Sequence, residues 1–485
     1  MALDFTPKTY DEIPPEKRLT FAEALVPVAG MILFLAVGMI HLGLDPQMPL
    51  LWGIVFSGLL GRYYFGYTWD DLADGIGESI LMGLQAILIL FVIYMVIASW
   101  IDAGTIPAIM YYGLGFLSPE VFLPFALVLA AIVSFAIGSS WTTAGTLGVA
   151  MIGIGSGLGI PAPMTAGAVL SGAYTGDKNS PLSDTTNLAA AVTNTDLMDH
   201  IKAMRPGTMV AFAISLVLFV VLGLNASGAI PVDRVAEIRT ALASTYTISP
   251  VAFLPLLITF ALALVGYPAL PALGAGIFAG VGTSILLQGR AFGAAWSTVH
   301  YGTSPETGLE LTNDLLASGG LDGSIWVVTI VVAALSLGGI LQQTGVLATI
   351  AYTVGQAVKN VAGLTAGTAV GTFSMNVLAG EQYMSIVVPG MTLGNLYEEY
   401  NLESRNLSRA VEAAGTTTAA FVPWSSGGVY MAAALKVPVV EYAPYYFFGM
   451  LSPLVLIFMG VTGWKIFYKE DADEGVPADA APSAE

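Results

Sequence analysis

Charge in this chain is kept apart from long apolar runs, and that separation limits the folds open to it. Residues 80–99, 210–224 and 326–341 carry no charged side chain. A helix needs about 20 mostly apolar residues to cross a bilayer. Roughly a dozen apolar segments, several too short to cross alone, recur between 21 and 468. Only 10% of the 485 residues are charged, against roughly 25% in soluble chains. A soluble fold would have too little polar surface to meet water. The pattern specifies an all-α polytopic membrane protein.

The remaining charge sorts the chain into parts. Residues 1–19 are expected to form a cytoplasmic N-terminal tail, 20–229 a first membrane repeat and 230–247 a connecting loop. A second repeat follows over 248–468, and 469–485 reads as a disordered acidic tail. Lys8, Lys17 and Arg18 at one end, with Lys465 and Lys469 at the other, place both termini on the cytoplasmic side. The net charge of −18 gathers in soluble places, with Asp4, Asp11 and Glu12 early and Glu470, Asp471, Asp473 and Glu474 late. A solvated surface suited to a salty cytoplasm explains it, with a basic partner as the alternative. Nucleic acid has no basic patch to meet. Without cysteine there is no disulfide and no thiolate metal site. No GxxxxGK[ST], HExxH or GxSxG stretch occurs, which argues against ATP-driven transport and membrane hydrolases. Neither an enzyme activity nor a bound cofactor is expected.

The chain also repeats itself. At a shift of 242 positions Gly138 meets Gly380, Trp141 meets Tyr383, Thr143 meets Ser385 and Gly148 meets Gly390. Without a gap, Pro181 then meets Pro423 and Ser183 meets Ser425. A shift of 241 sets residues 101–104 against 342–345. Two homologous halves explain the even register, and chance among small residues is the competing account. Secondary transporters are often built from such repeats, with paired broken helices at matching places and substrate near the midplane.

Polar residues cluster where the halves match. Residues 176–187 read GDKNSPLSDTTN between apolar flanks. Pro181 has no N–H, so a helix must loosen there. Loosened backbone at membrane depth is tolerated only where it lines protein or a watery cavity. Free carbonyls with Asp177, Ser180, Ser183, Asp184, Thr185, Thr186 and Asn187 offer the oxygen ligands a small hard cation prefers. Asp177 and Asp184 stand two helical turns apart on a continuous helix, or flank one opening if the helix breaks at Pro181. A carboxylate there can hold a cation or a proton, the minimum for exchange. We read sodium at Asp177 and Asp184, with Lys178 as a counter-charge to Asp177 or a proton-linked competitor. The alternative for the whole stretch is an aqueous loop.

Residues 415–428, GTTTAAFVPWSSGG, repeat the proline-centred break without aspartates, so Ser425 and Ser426 are assigned to ligand contact through hydroxyls and carbonyls. Residues 139–143, and Asn376 with Glu381, Gln382 and Ser385, sit where helical hairpins would enter. For any one Ser or Thr here, helix packing competes with ligation. Glu381 is either proton-linked or at a membrane face. His200 is expected on an exposed cytoplasmic loop, Asp102 at an interface, and Arg409 paired with Glu412 three residues on.

Residues 172–201, GAYTGDKNSPLSDTTNLAAAVTNTDLMDHI, resemble the signature region of the NhaC family of sodium/proton antiporters. So do LLASGG at 315–320, LSLGGILQQTG at 335–345 and NLSR with GTTTAAFVPWSSGG between 406 and 428. The resemblance implies a scaffold domain and a transport domain with two re-entrant hairpins and two broken helices. It further implies an inverted repeat, elevator movement, a homodimer in the cytoplasmic membrane, and Asp177, Ser180, Ser183, Asp184, Thr185, Thr186 and Asn187 at the ion site. The resemblance leaves two kinds of transport open. One is exchange of Na+ for H+, setting internal pH. The other is Na+- and H+-coupled exchange of an organic anion, such as malate for lactate, for which Lys178 and Arg409 are the nearest cations. A passive channel or membrane enzyme is the remaining class.

Overall fold

A computed structural model describes residues 10–225, 232–356 and 358–469. The expected disorder of the acidic tail beyond 469, and Lys8, lie outside the described residues. The described chain is helical almost throughout, with isolated bridges in place of strands. Among the described residues, seven helices are long and apolar enough to cross a membrane. Two bent pairs, broken by 88° and 58°, would raise that to nine. Large apolar side chains such as Ile132, Val217, Leu257, Phe278 and Leu286 point outward, which suits a lipid environment and not water.

Helices begin and end where their chemistry requires. Thr20 and Glu23 form a reciprocal cap at the start of Phe21–Leu35, and Thr68 and Asp71 do the same for Trp69–Met82. Pro119–Ile137 stops at Gly138, which is left-handed with φ 73°. Val361–Ala379 stops the same way at Gly380, φ 65°. After each stop the chain turns back as a helical hairpin, resuming at Ser140 and at Gln382. The 242-residue spacing holds for the helix breaks as well. Ala162–Asn179 breaks before Asp184–Val192, and the helical run from Ser404 to Phe421 breaks before Ser426–Leu435.

The helices pack in two groups. Phe21–Leu35, Gln47–Tyr63, Trp69–Met82, Leu84–Asp102, Ala269–Gln288 and Gly320–Gln343 pack on one another. The hairpins, both broken helices, Leu197–Asn225 and Phe447–Thr462 form the second group. Small residues make the second group tight. A Cβ at Gly172 would lie 2.1 Å from the Leu127 carbonyl oxygen, and one at Gly176 would lie 2.2 Å from that of Ala131. This small-xxx-small stripe presses Ala162–Asn179 onto Pro119–Ile137 and carries Asp177 to the hairpin tip.

Four local expectations change. Residues 230–247 hold a helix, Val232–Thr245, instead of a loop, because Ile238 and Leu242 are one turn apart and both fully buried. His200 is buried in Leu197–Asn225, with Nδ1 2.6 Å from the Ser408 hydroxyl, because its helix face packs on Ser404–Val411. Asp102 does end its helix but is buried, accepting from Ser284 and from Arg290 at 3.1 Å. Arg409 does not pair with Glu412. It donates to the Lys465 carbonyl at 2.7 Å and to Asn406 at 3.3 Å. The reason is competition for partners: the Lys465 carbonyl and Asn406 take the guanidinium, while Thr185 donates to Glu412 at 3.1 Å.

Candidate functional site

Both hairpin tips and both helix breaks meet at one place. Ser139, Ser140 and Trp141 from the first tip, Glu381, Gln382 and Tyr383 from the second, and Asp177 and Asp184 from the first broken helix line a single cavity with Ala86 and Ile89. Its volume is about 20 Å³. One water needs about 10–15 Å³ on this measure, so its size matches a bare or singly hydrated ion. A wider vestibule of about 230 Å³ adjoins it, sharing Ile89, Ser139 and Asp184 and adding Gln85, Leu182 and Tyr267.

Four helical segments start here, each capped by a side chain. Ser139 accepts from the Thr142 N–H at 3.1 Å and Ser183 from the Thr186 N–H at 3.3 Å. Ser425 accepts from the Gly428 N–H at 3.0 Å, and Glu381 accepts from the N–H groups of Tyr383 and Met384. The partly positive helix starts lower the cost of holding acidic groups at this depth.

Asp177 is buried. One of its oxygens accepts from the Ser140 hydroxyl at 2.8 Å and the other has no protein partner. Asp184 opens onto the vestibule and accepts from the Tyr383 hydroxyl at 2.5 Å, its neighbour's N–H at 2.9 Å and Gln85 at 3.4 Å. Three carboxylates, Asp177, Asp184 and Glu381, share a small polar cavity, and one Asp177 oxygen has no hydrogen-bond partner. That arrangement can exchange a cation for protons. Among the described residues no three His, Cys, Asp or Glu side chains are grouped to hold a metal ion; the carboxylates and hydroxyls here suit a cargo that must leave.

The other residues singled out in the sequence are divided. Ser180 accepts from the Leu182 N–H at 3.3 Å and Asn187 ties the Pro181 and Ser183 carbonyls, so both shape the break. Thr185 donates to Glu412 at 3.1 Å. Thr186 is buried with an unpartnered hydroxyl. Asn376 donates to the Gly415 carbonyl at 2.7 Å and to Thr418 at 3.0 Å, inside the second broken helix. The Ser425 hydroxyl donates to the Ala419 carbonyl at 2.6 Å, and Ser426 reaches Glu381 at 3.3 Å. Glu381 is buried at the second hairpin tip and lines the cavity. Lys178 turns away from Asp177 and donates to Ser452 at 3.2 Å.

Three residues at the site carry only a weak signal in the sequence. Gln85 stands as one polar residue in an apolar run, and Tyr383 as an aromatic matched to Trp141. Glu412 sits three residues from Arg409, which suggests an ion pair, although a carboxylate inside a span marks a functional position by default.

Known proteins place the chain. The Na+/H+ antiporter family matches residues 18–186 and 172–464. The arginine/ornithine antiporter ArcD of Halobacterium salinarum is 57% identical over 485 residues, covering 99% of this chain and all of that one. The Na+/H+ antiporter NhaC of Alkalihalophilus pseudofirmus is 38% identical, covering 92% and 97%. A malate-2H+/Na+-lactate antiporter of Bacillus subtilis is 35% identical, covering 94% and 97%. By sequence and over nearly its whole length, this chain belongs to the Na+/H+ antiporter family, the NhaC family of the resemblance.

Proposed function

We propose that the chain is a secondary transporter that exchanges Na+ for H+ across the cytoplasmic membrane and so sets internal pH. The observation that carries this reading is Asp177 and Asp184 lining one ion-sized cavity, with a buried oxygen of Asp177 left without a hydrogen-bond partner. Sodium and protons compete for those carboxylates, and only one occupant fits at a time. Asn376, Ser425 and Ser426 hold the second broken helix in shape around the site.

In this reading the first helix group is the scaffold and the second the transport domain of an elevator, built as an inverted repeat and working as a homodimer with both termini in the cytoplasm. The cavity supports it by its position. Ala86 and Ile89 come from the first group and the other lining residues from the second, so a sliding second group would carry the ion past a fixed wall.

A second reading is exchange of basic amino acids. The 57% identity with an arginine/ornithine antiporter favours it, and the vestibule at Asp184 offers a carboxylate to a cationic substrate. Organic-anion exchange has less support, because Lys178 and Arg409 are engaged outside the cavity.

Everted vesicles from a host without its own antiporters separate these readings. Respiration acidifies the lumen, and NaCl is then added alone. Recovery of the pH-dye signal is the expected outcome. No recovery with NaCl, but uptake of labelled arginine against internal ornithine, would replace it with the second reading.

A further inference from the structure

Behind the cation cavity lie two buried charges that form none of the ion pairs found among the described residues. Lys178 and Glu412 are both fully buried. Lys178 donates to Ser452 at 3.2 Å and stands 5.7 Å over the Phe448 ring. Ser452 in turn donates to the carbonyl of Ala413, the residue after Glu412, at 2.7 Å. One Glu412 oxygen accepts from Thr185 at 3.1 Å, and the other has no hydrogen-bond partner.

The chemistry of this arrangement is specific. A neutral glutamine could also accept the Thr185 hydroxyl, so this one hydrogen bond does not by itself call for a charge here. An uncompensated buried charge is costly. The charged groups that act on Glu412 are Lys178 and Asp177 from Ala162–Asn179; Asp184 adjoins its Thr185 partner, His200 of Leu197–Asn225 acts on Lys178, and Arg409 lies on the same helical run. Arg409 is taken up by the Lys465 carbonyl and Asn406. Lys178 lies within electrostatic reach of two carboxylates, Glu412 and Asp177. Asp177 is its neighbour in sequence and is one of the three carboxylates lining the cation cavity.

We propose that Glu412 is a positioning residue that holds the Lys178 ammonium away from Asp177, leaving the open oxygen of Asp177 to the transported cation. Glu412 opens a π-helical turn over Glu412–Thr416, and such turns recur at functional sites. Thr185 ties the same carboxylate to the first turn of the Asp184 half-helix, so one residue supports both sides of the site. Without the Glu412 charge, the best remaining partner for Lys178 is Asp177, and a tethered ammonium there competes with the cargo.

This rests on Asp177 and Asp184 being the cation site, and a charge-removal cycle tests it. Glu412→Gln, Lys178→Met and the double variant are assayed in vesicles for apparent KM and maximal rate with Na+, and in parallel with arginine. Glu412→Gln is expected to raise KM about tenfold with a smaller loss of maximal rate, and Lys178→Met in that background to return KM most of the way. That non-additivity is the signature of direct coupling; a merely structural glutamate gives no rescue. A Glu412→Gln variant with normal KM overturns the proposal, as does a double variant no better than the single. If Glu412→Gln fails to accumulate in the membrane, recovery of accumulation in the double variant supports the proposal and its absence overturns it. Asp184→Asn in the same assay tests the underlying reading separately. Normal transport by that variant removes the cation-site reading, whatever the Glu412 variants do.

Discussion

At the scale of single residues, the site works by leaving some oxygens satisfied and others open. Asp184 has three protein donors around it, and the Tyr383 hydroxyl at 2.5 Å is the nearest of them. A hydrogen bond to a charged group contributes about 1.5–3 kcal/mol, so its loss should be felt in binding. Tyr383→Phe keeps the ring and removes that donor. We expect apparent affinity for the cargo to change by roughly 10-fold or more, with membrane abundance unchanged, read as KM beside a fluorescence size-exclusion profile. An unchanged KM would mean that Asp184 does not contact the cargo through this oxygen. Asp177, Asp184 and Lys178 are all legible in the sequence as polar residues around a proline. What their side chains meet is not, because Tyr383 and Glu412 come from about 200 residues away and no local pattern joins them.

At the scale of elements, the two breaks and the two hairpins act as one unit. The aromatic residue at each tip crosses to a half-helix in the other half of the chain. Trp141 stacks on Tyr430 at 4.5 Å and accepts the Tyr430 hydroxyl on its carbonyl, while Tyr383 reaches Asp184. The match of Trp141 to Tyr383 at a shift of 242 is visible in the sequence, and the exchange of partners is not. Glycine spacing decides whether the unit assembles. A side chain at Gly176 would meet the Ala131 carbonyl at 2.2 Å and the Phe135 nitrogen at 2.5 Å. Backbone is on both sides and no flexible side chain can give way. Gly176→Leu should therefore abolish the folded protein in the membrane, whereas Gly77→Leu, with nothing within 4 Å, should accumulate as wild type does. Equal accumulation of the two would refute the packing argument.

At the scale of the whole molecule, transport by an elevator requires the two helix groups to slide. Ile93 belongs to Leu84–Asp102, and a Cβ at Gly145 beside the first hairpin would fall 2.4 Å from its Cγ1. The Ile93 Cβ is one bond from that Cγ1, which brings cysteines at these two positions within reach of a disulfide, whose Cβ atoms stand about 3.5–4.5 Å apart, provided the Tyr430 hydroxyl, 2.4 Å from the same point, shifts. The chain has no cysteine of its own to interfere. Oxidation of the double variant should stop exchange and a reductant should restore it. Full exchange by the cross-linked protein would rule out relative movement at this contact.

The sequence by itself determined the membrane class, the small-residue hairpin tips, the two proline-centred breaks and the family. These depend on local quantities: apolar length, missing N–H groups, left-handed glycines and a fixed motif. Only the tertiary structure decided which buried charges face one another. It moved His200 inside, separated Arg409 from Glu412, and turned Lys178 from Asp177 towards Ser452 and Glu412. Those outcomes depend on helix register and on packing between segments distant in sequence. In a low-dielectric interior, such placements determine whether a charge binds its cargo or blocks it.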